Sequence, residues 1–177
     1  MCLFTGCNRA KNGDTADANL PQARGEAQKS IPGPQLSAQP GGITYLDTVP
    51  TIHIATTLTN PTADTLHFVS MSCSYEDMFV TNTPNYKVTS RYDCYKNYPE
   101  VIALPPHAKL DQFIIIRPTA KTVNVISSKI KVGMYYIIPE KGNEFEGIIK
   151  QYENRQAAKI LWSEELDLKR LYHKVYK

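Results

Sequence analysis

From Ile43 onward, apolar and polar side chains alternate with a period of two over one short run after another, which is the pattern of strands that bury a single face. In TIHIATTLTN, the residues Ile52, Ile54 and Leu58 fall on one face and His53, Ala55, Thr57 and Thr59 on the other. Asn60, Pro61 and Asp64 follow, residue types that reverse the chain by fixing φ or by bonding their own backbone. TLHFVSMSC predicts a second strand with Leu66 and Phe68 inward, and MFVTN a third that stops near Pro84. A long connection, YKVTSRYDCYKNYPEVIAL, leads to the Pro105-Pro106 turn and a strand around Phe113–Ile116. SSKIKVGMYYIIP places Ile130, Val132, Met134 and Tyr136 on one side and Lys129, Lys131 and Gly133 on the other. KILWSEELDL reads as the last strand, with Ile160, Trp162, Leu166 and Leu168 on one parity and Glu164 as its polar exception. About seven strands separated by turn signals predict an all-β fold, an antiparallel sandwich over 43–177.

Two stretches stand outside this pattern. PEKGNEFEGIIKQYENRQA is the longest charged connection, and it is read as a loop, with at most a turn of helix over 148–158. Residues 8–42 contain no aromatic residue and almost no branched apolar one. Such a composition buries too little apolar surface to offset its conformational entropy, so it predicts a disordered linker. A flexible tether of that length spans roughly 30–35 Å.

Composition narrows the classes. Eleven Tyr and twelve Pro among 177 residues suit strands and turns better than helices. The formal charge of +3, from 20 basic and 17 acidic residues, lacks the clustered surplus of a nucleic-acid binder. No run approaches the roughly 20 apolar residues of a membrane-spanning helix.

At the amino terminus, LFTGC resembles a bacterial lipobox: Phe4, Thr5, Gly6 and Cys7 fill its places, with Phe4 where Leu usually stands. The resemblance implies acylation of Cys7, a membrane attachment through that lipid, and residues 1–7 as the remnant of a lipoprotein signal whose charged and apolar parts lie upstream of Met1. Removing Cys2 with the signal and lipidating Cys7 leaves Cys73 and Cys94 as an even remainder, expected as one disulfide. The rival readings are two unpaired thiols, or a metal site completed by His67 or His107, although no two of these ligands stand at a usual zinc spacing. No metal or other cofactor is expected.

LTNPTADTLHF, SYEDMFV and LPPHAKL, in that order, resemble the turns and strands of small bacterial immunoglobulin-like domains, including the intracellular proteinase inhibitor family. The resemblance spans about residues 50–116 and implies an immunoglobulin-like sandwich, with protease inhibition as the alternative activity and a loop such as 82–98 entering the protease cleft. The lipobox-like cysteine, polar linker and sandwich together resemble cell-envelope lipoproteins of Bacteroidota-type bacteria. Asn8, Arg9, Ala10 and Lys11 follow Cys7 where acidic residues mark surface export in that group, which implies the periplasm-facing outer membrane.

Catalytic chemistry finds little support. Glu76-Asp77 and Glu164-Glu165 are sequence neighbours, which a strand would point to opposite faces, and neither they nor Asp93 make a natural carboxylate pair. His53, His67, His107 and His173 have no Ser or Cys partner in a recognised motif. The expectation is a non-catalytic module that binds an envelope protein or a glycan. Its candidate surface is Tyr75, Phe79, Tyr86, Tyr92, Tyr95 and Tyr98, since tyrosine offers a large rigid area with a polar tip. The competing reading packs half of these rings over the disulfide as core.

Overall fold

The computed structural model describes residues 33–46, 48–90, 94–120, 129–142 and 145–169. Its first sheet grows from the strongest alternation in the sequence. β1 (Gln35–Leu46), β2 (Val49–Thr59), β5 (Tyr86–Thr89) and β7 (Lys109–Pro118) form an antiparallel sheet in the order β1-β2-β7-β5. Ile52, Ile54 and Leu58 of β2 are buried, as are Ile114 and Ile116 of β7, which pair with Ile54 and Ile52.

The facing layer is built around β9 (Val132–Tyr136), flanked by β4 (Phe79–Thr81) and β10 (Lys159–Trp162). β3 (Leu66–Met71) pairs with β6 (Pro99–Leu104). The Val69 N–H donates to the Ile137 carbonyl at 2.9 Å, tying this pair to the continuation of β9. β3 and β4 thus follow the same neighbour, interrupted by a 3-10 turn at Tyr75–Met78. β8 (Lys129–Ile130) and β11 (Leu166–Asp167) add a short pair. One apolar cluster joins the layers, with Ile52, Ile54, Ile114 and Ile116 on one side and Phe68, Met134, Tyr136 and Leu161 on the other. Each such side chain, fully buried, contributes about 1.5–3 kcal/mol.

The all-β antiparallel expectation holds, with four corrections of detail. The linker expected over 8–42 ends by Gln35, where β1 begins; its part before residue 33 lies outside the described residues, as does the lipobox-like segment 1–7. Leu36 and Ala38 are buried at period two, but the following Pro-Gly-Gly reads as linker. It is instead a β-bulge, where the register with β2 shifts between Pro40 and Gly42; an edge strand tolerates both the bulge and the proline.

The long connection after Pro84 contains β5 and β6, and the described residues hold eleven strands where about seven were expected. The final strand is broken in two and its parity changes. Leu161 is buried while Trp162 lies outward, and Leu166 and Leu168 are buried again. Trp162 pairs with Gly133, where a Cβ would sit 2.7 Å from the indole and 2.6 Å from Ile160; the glycine is what lets these side chains lie flat across β9. Finally, the charged connection contains a real helix, α1 (Phe145–Glu153), with a 3-10 turn at Arg155–Ala157 behind it.

Candidate interaction surface

Cys73 and Cys94 form the expected disulfide, with their Cα atoms 6.1 Å apart. It ties the end of β3 to the approach to β6, and Cys73 is exposed. Asn97 reinforces the corner: its side-chain oxygen accepts from the Cys73 and Ser74 amides at 3.3 and 3.1 Å, and its amide donates to the Asp77 carboxylate at 3.4 Å. Beside it the Ser72 N–H donates to the Tyr98 carbonyl and the Tyr98 N–H to the Ser72 hydroxyl, at 2.9 and 3.2 Å, extending the β3–β6 ladder to the brace.

The aromatic residues picked from the sequence separate here into core and surface. Phe79 and Tyr86 are buried and cannot line a contact surface, because their strands turn them into the space between the layers. Tyr75 is half-buried, and its hydroxyl donates to the Phe113 carbonyl at 2.8 Å and accepts from the Phe113 N–H at 3.4 Å. The β5–β7 pairing stops at Ile115, so this phenol occupies the edge of β7 where the neighbouring strand has ended. Tyr92 lies outside the described residues. Tyr95 and Tyr98 remain on the surface, 96% and 49% exposed.

α1 completes the surface, and the alternation rule gave no hint of it. Tyr98 meets Phe145 edge-on, with ring centroids 6.2 Å apart, and Phe145 is itself 54% exposed. The signal was present as helical spacing: Phe145, Ile148, Ile149 and Tyr152 stand at i, i+3, i+4 and i+7. Ile148 and Tyr152 pack against the core from this side. Burial, with the neighbouring Asp77 charge second, holds the Tyr152 phenol above its usual range. The Arg155 guanidinium, 4.4 Å over the same ring, acts in the opposite direction. Asp77 thus acts on the helix through its charge near Tyr152 and is joined through Asn97 to the backbone at Cys73.

The other polar residues that drew notice take structural places. Asn60 is fully buried. Its amide donates to the Asp64, Leu104 and Pro105 carbonyls at 2.8, 3.1 and 2.9 Å, and its oxygen accepts from the Thr62 amide and hydroxyl, so the Asn-Pro-Thr turn holds the Pro105-Pro106 turn. Glu164 accepts from the Ala38 N–H at the edge of β1, and Glu165 pairs with Lys129 on the surface. His53 bonds the Thr44 hydroxyl at 2.8 Å. His67 and His107 are exposed, and the two cysteines are joined to each other; His173 and Asp93 lie outside the described residues. Among the described residues, no three His, Cys, Asp or Glu side chains gather as metal ligands, and no helix is long and apolar enough to cross a membrane.

What this corner offers chemically is a braced aromatic platform, suited to stacking on a sugar ring or packing against a side chain. No protein-family model matches the chain, and no curated protein matches it either.

Proposed function

We propose that the chain is a non-catalytic lipoprotein of the bacterial cell envelope, anchored through Cys7, whose immunoglobulin-like sandwich acts as a binding or assembly module for an envelope protein or glycan. The observation that carries this reading is the Cys73–Cys94 disulfide with Tyr95, Tyr98 and Phe145 exposed beside it. A disulfide on the surface belongs to an oxidising compartment, which agrees with the lipobox-like LFTGC ahead of a polar linker. Rigid aromatic rings held in place bind with less entropy lost than rings on a free loop. The protease-inhibitor alternative is less favoured, because residues 82–98 are not one free loop: β5 lies among them and is paired in the first sheet.

Two measurements test the proposal. Native protein should carry an acyl mass at Cys7 and fractionate with membranes, and Cys7→Ser should release it; unmodified protein in the cytosol would rule out the anchor. Capture from detergent-solubilised envelopes should retrieve a partner that the Tyr95→Ala/Tyr98→Ala/Phe145→Ala variant loses at unchanged melting temperature. Retrieval of an endopeptidase would favour the inhibitor instead.

A further inference from the structure

Among the described residues β6 has one partner strand, β3, and its other edge is unpaired. The hydrogen-bond alternation of an antiparallel ladder decides which of its residues face that edge. Val69 gives its N–H to Ile137, away from β6, so the opposed pair Val69–Val101 exchanges no backbone bonds, whereas the Ser72 N–H reaches the Tyr98 carbonyl three positions along the same register. Val101 and Ala103 therefore turn their N–H and C=O groups outward, and no other described element takes them up. Pro99 occupies the same outward parity, the one place where a strand residue without an N–H costs nothing.

The outward set is symmetric about Ile102. Val101 and Ala103, each with a donor and an acceptor, stand one residue to either side, and Pro99 and Pro105, without donors, stand three to either side. We propose that the chain forms a two-fold homodimer through antiparallel pairing of β6 with β6 of a second copy, in the register that sets Val101 against Ala103 of the partner. In this register both outward residues of each strand exchange N–H···O=C bonds, and the position lacking a donor at one end meets the position lacking one at the other. Shifting it to put Val101 opposite Val101 sets Pro99 against Ala103 and strands an acceptor; the opposite shift does the same with Pro105. Glu100 faces Leu104 of the partner, so no like charges meet. A self-complementary patch is what a two-fold interface requires, and a heterologous strand would have no need of the symmetry.

The outer face of the edge suits this pairing. Val101 is 39% exposed and lines a shallow cleft of about 510 Å³ with Leu66, His67 and Ile138. The pairing does not depend on anchorage at Cys7, so its failure and the failure of the lipoprotein reading are separate outcomes.

The experiment is sedimentation of the full chain, disulfide formed, with Cys2→Ser and Cys7→Ser to exclude intermolecular thiol bonds, from about 1 μM to about 1 mM. The mass should rise from monomer to dimer. Val101→Pro removes only an outward N–H and should leave a folded monomer throughout the range. Val101→Glu/Ala103→Glu, at exposed side chains, should also stay monomeric, because carboxylates then face each other across the axis. Val101→Glu/Ala103→Lys should dimerise again, since the register sets residue 101 of one copy against residue 103 of the other. A parent chain that stays monomeric, a dimer that survives the double Glu variant, or a Glu/Lys variant no better than the double Glu would each overturn the proposal.

Discussion

β2 and β3 are both long runs of apolar and β-branched residues, yet their burial differs. In β2 burial alternates from Ile52 to Thr59; in β3 the four residues from Phe68 to Met71 are all buried. β2 has solvent on one side, so each second residue can be polar. β3 lies where α1 packs against the neighbouring β6, and Val69 and Met71 are covered although they share the face opposite Phe68. A strand's alternation thus reports whether its outer face is wet, and its loss marks a place where another element sits on the sheet.

The largest effect expected from this comparison lies in the first sheet. Ile54→Ala should cost about 3–5 kcal/mol, because the side chain is fully buried between strands that hold their neighbours rigidly and leave a cavity. Urea unfolding measures it. A loss below about 1 kcal/mol would mean that the site collapses easily and that the first sheet is not the stable half.

Reducing the Cys73–Cys94 bond should cost about 2–4 kcal/mol, for a closed loop with a sequence separation of 21. The contrast between regions is the sharper readout. Hydrogen exchange should rise over residues 94–98 and at the Asn97 contacts while protection in β5 and around Ile54 and Val132 persists. Equal loosening everywhere would mean that the braced corner and the first sheet open as one unit.

What the sequence made legible follows the same division. Ile52, Ile54 and Leu58, and Ile130, Val132, Met134 and Tyr136, were placed by period two and are buried. The disulfide followed from the count of cysteines once two were assigned to the lipobox-like segment. Besides β5, β6 and α1, three things escaped. β1 was hidden because Gln35–Gly42 carries only Leu36 and Ala38 as apolar positions before a bulge. Trp162 was assigned inward because a break in register at Ser163, whose hydroxyl accepts from the Val132 N–H, leaves no mark in a hydrophobicity pattern. Asn60 and Asn97 hold loops by bonds to distant backbone, which no local spacing encodes. The candidate surface was half legible for a related reason: tyrosine is equally at home in a core and on a surface, so Tyr86, on a strand, and Tyr95, in a turn, look alike until the backbone is placed.

A smaller effect separates the two phenols whose titration burial delays. Tyr136 lies in the core and its phenol is raised by burial alone, whereas Tyr152 is raised by burial and by Asp77. For a group whose folded-state pKa exceeds its unfolded value, the native state holds the proton longer. Stability is then level below the unfolded value of 10.0 and is lost as pH rises through the folded one. Tyr152→Phe should flatten the part of the alkaline loss that comes from α1, read as helix detachment as pH rises above 10.0, and leave the Tyr136 contribution. Asp77→Asn should bring the Tyr152 midpoint down toward the ordinary value. An unchanged midpoint would mean that Asp77 does not link the helix to the braced corner.

The smallest effect returns to the first sheet, at the reversal between β1 and β2. Leu46 pairs with Val49, and Thr48 lies between them at φ 66°, a left-handed conformation in which a β-branched side chain crowds its own backbone. Holding a non-glycine residue there costs roughly 1–2 kcal/mol. Thr48→Gly removes that crowding but frees the unfolded chain, which offsets about 0.5–1 kcal/mol of the gain. Thr48→Asn keeps more of it, since asparagine tolerates this region with less unfolded freedom than glycine. The net expectation is a gain of about 0.5–1 kcal/mol, larger for Asn than for Gly, with Thr48→Val giving none because it is branched in the same way. Thermal unfolding of the three variants decides it, and a Val variant as stable as the Asn one would show that the backbone at this turn is not under strain. The gain should also leave exchange at the Asn97 corner unchanged, because the turn and the brace belong to regions stabilised by different means.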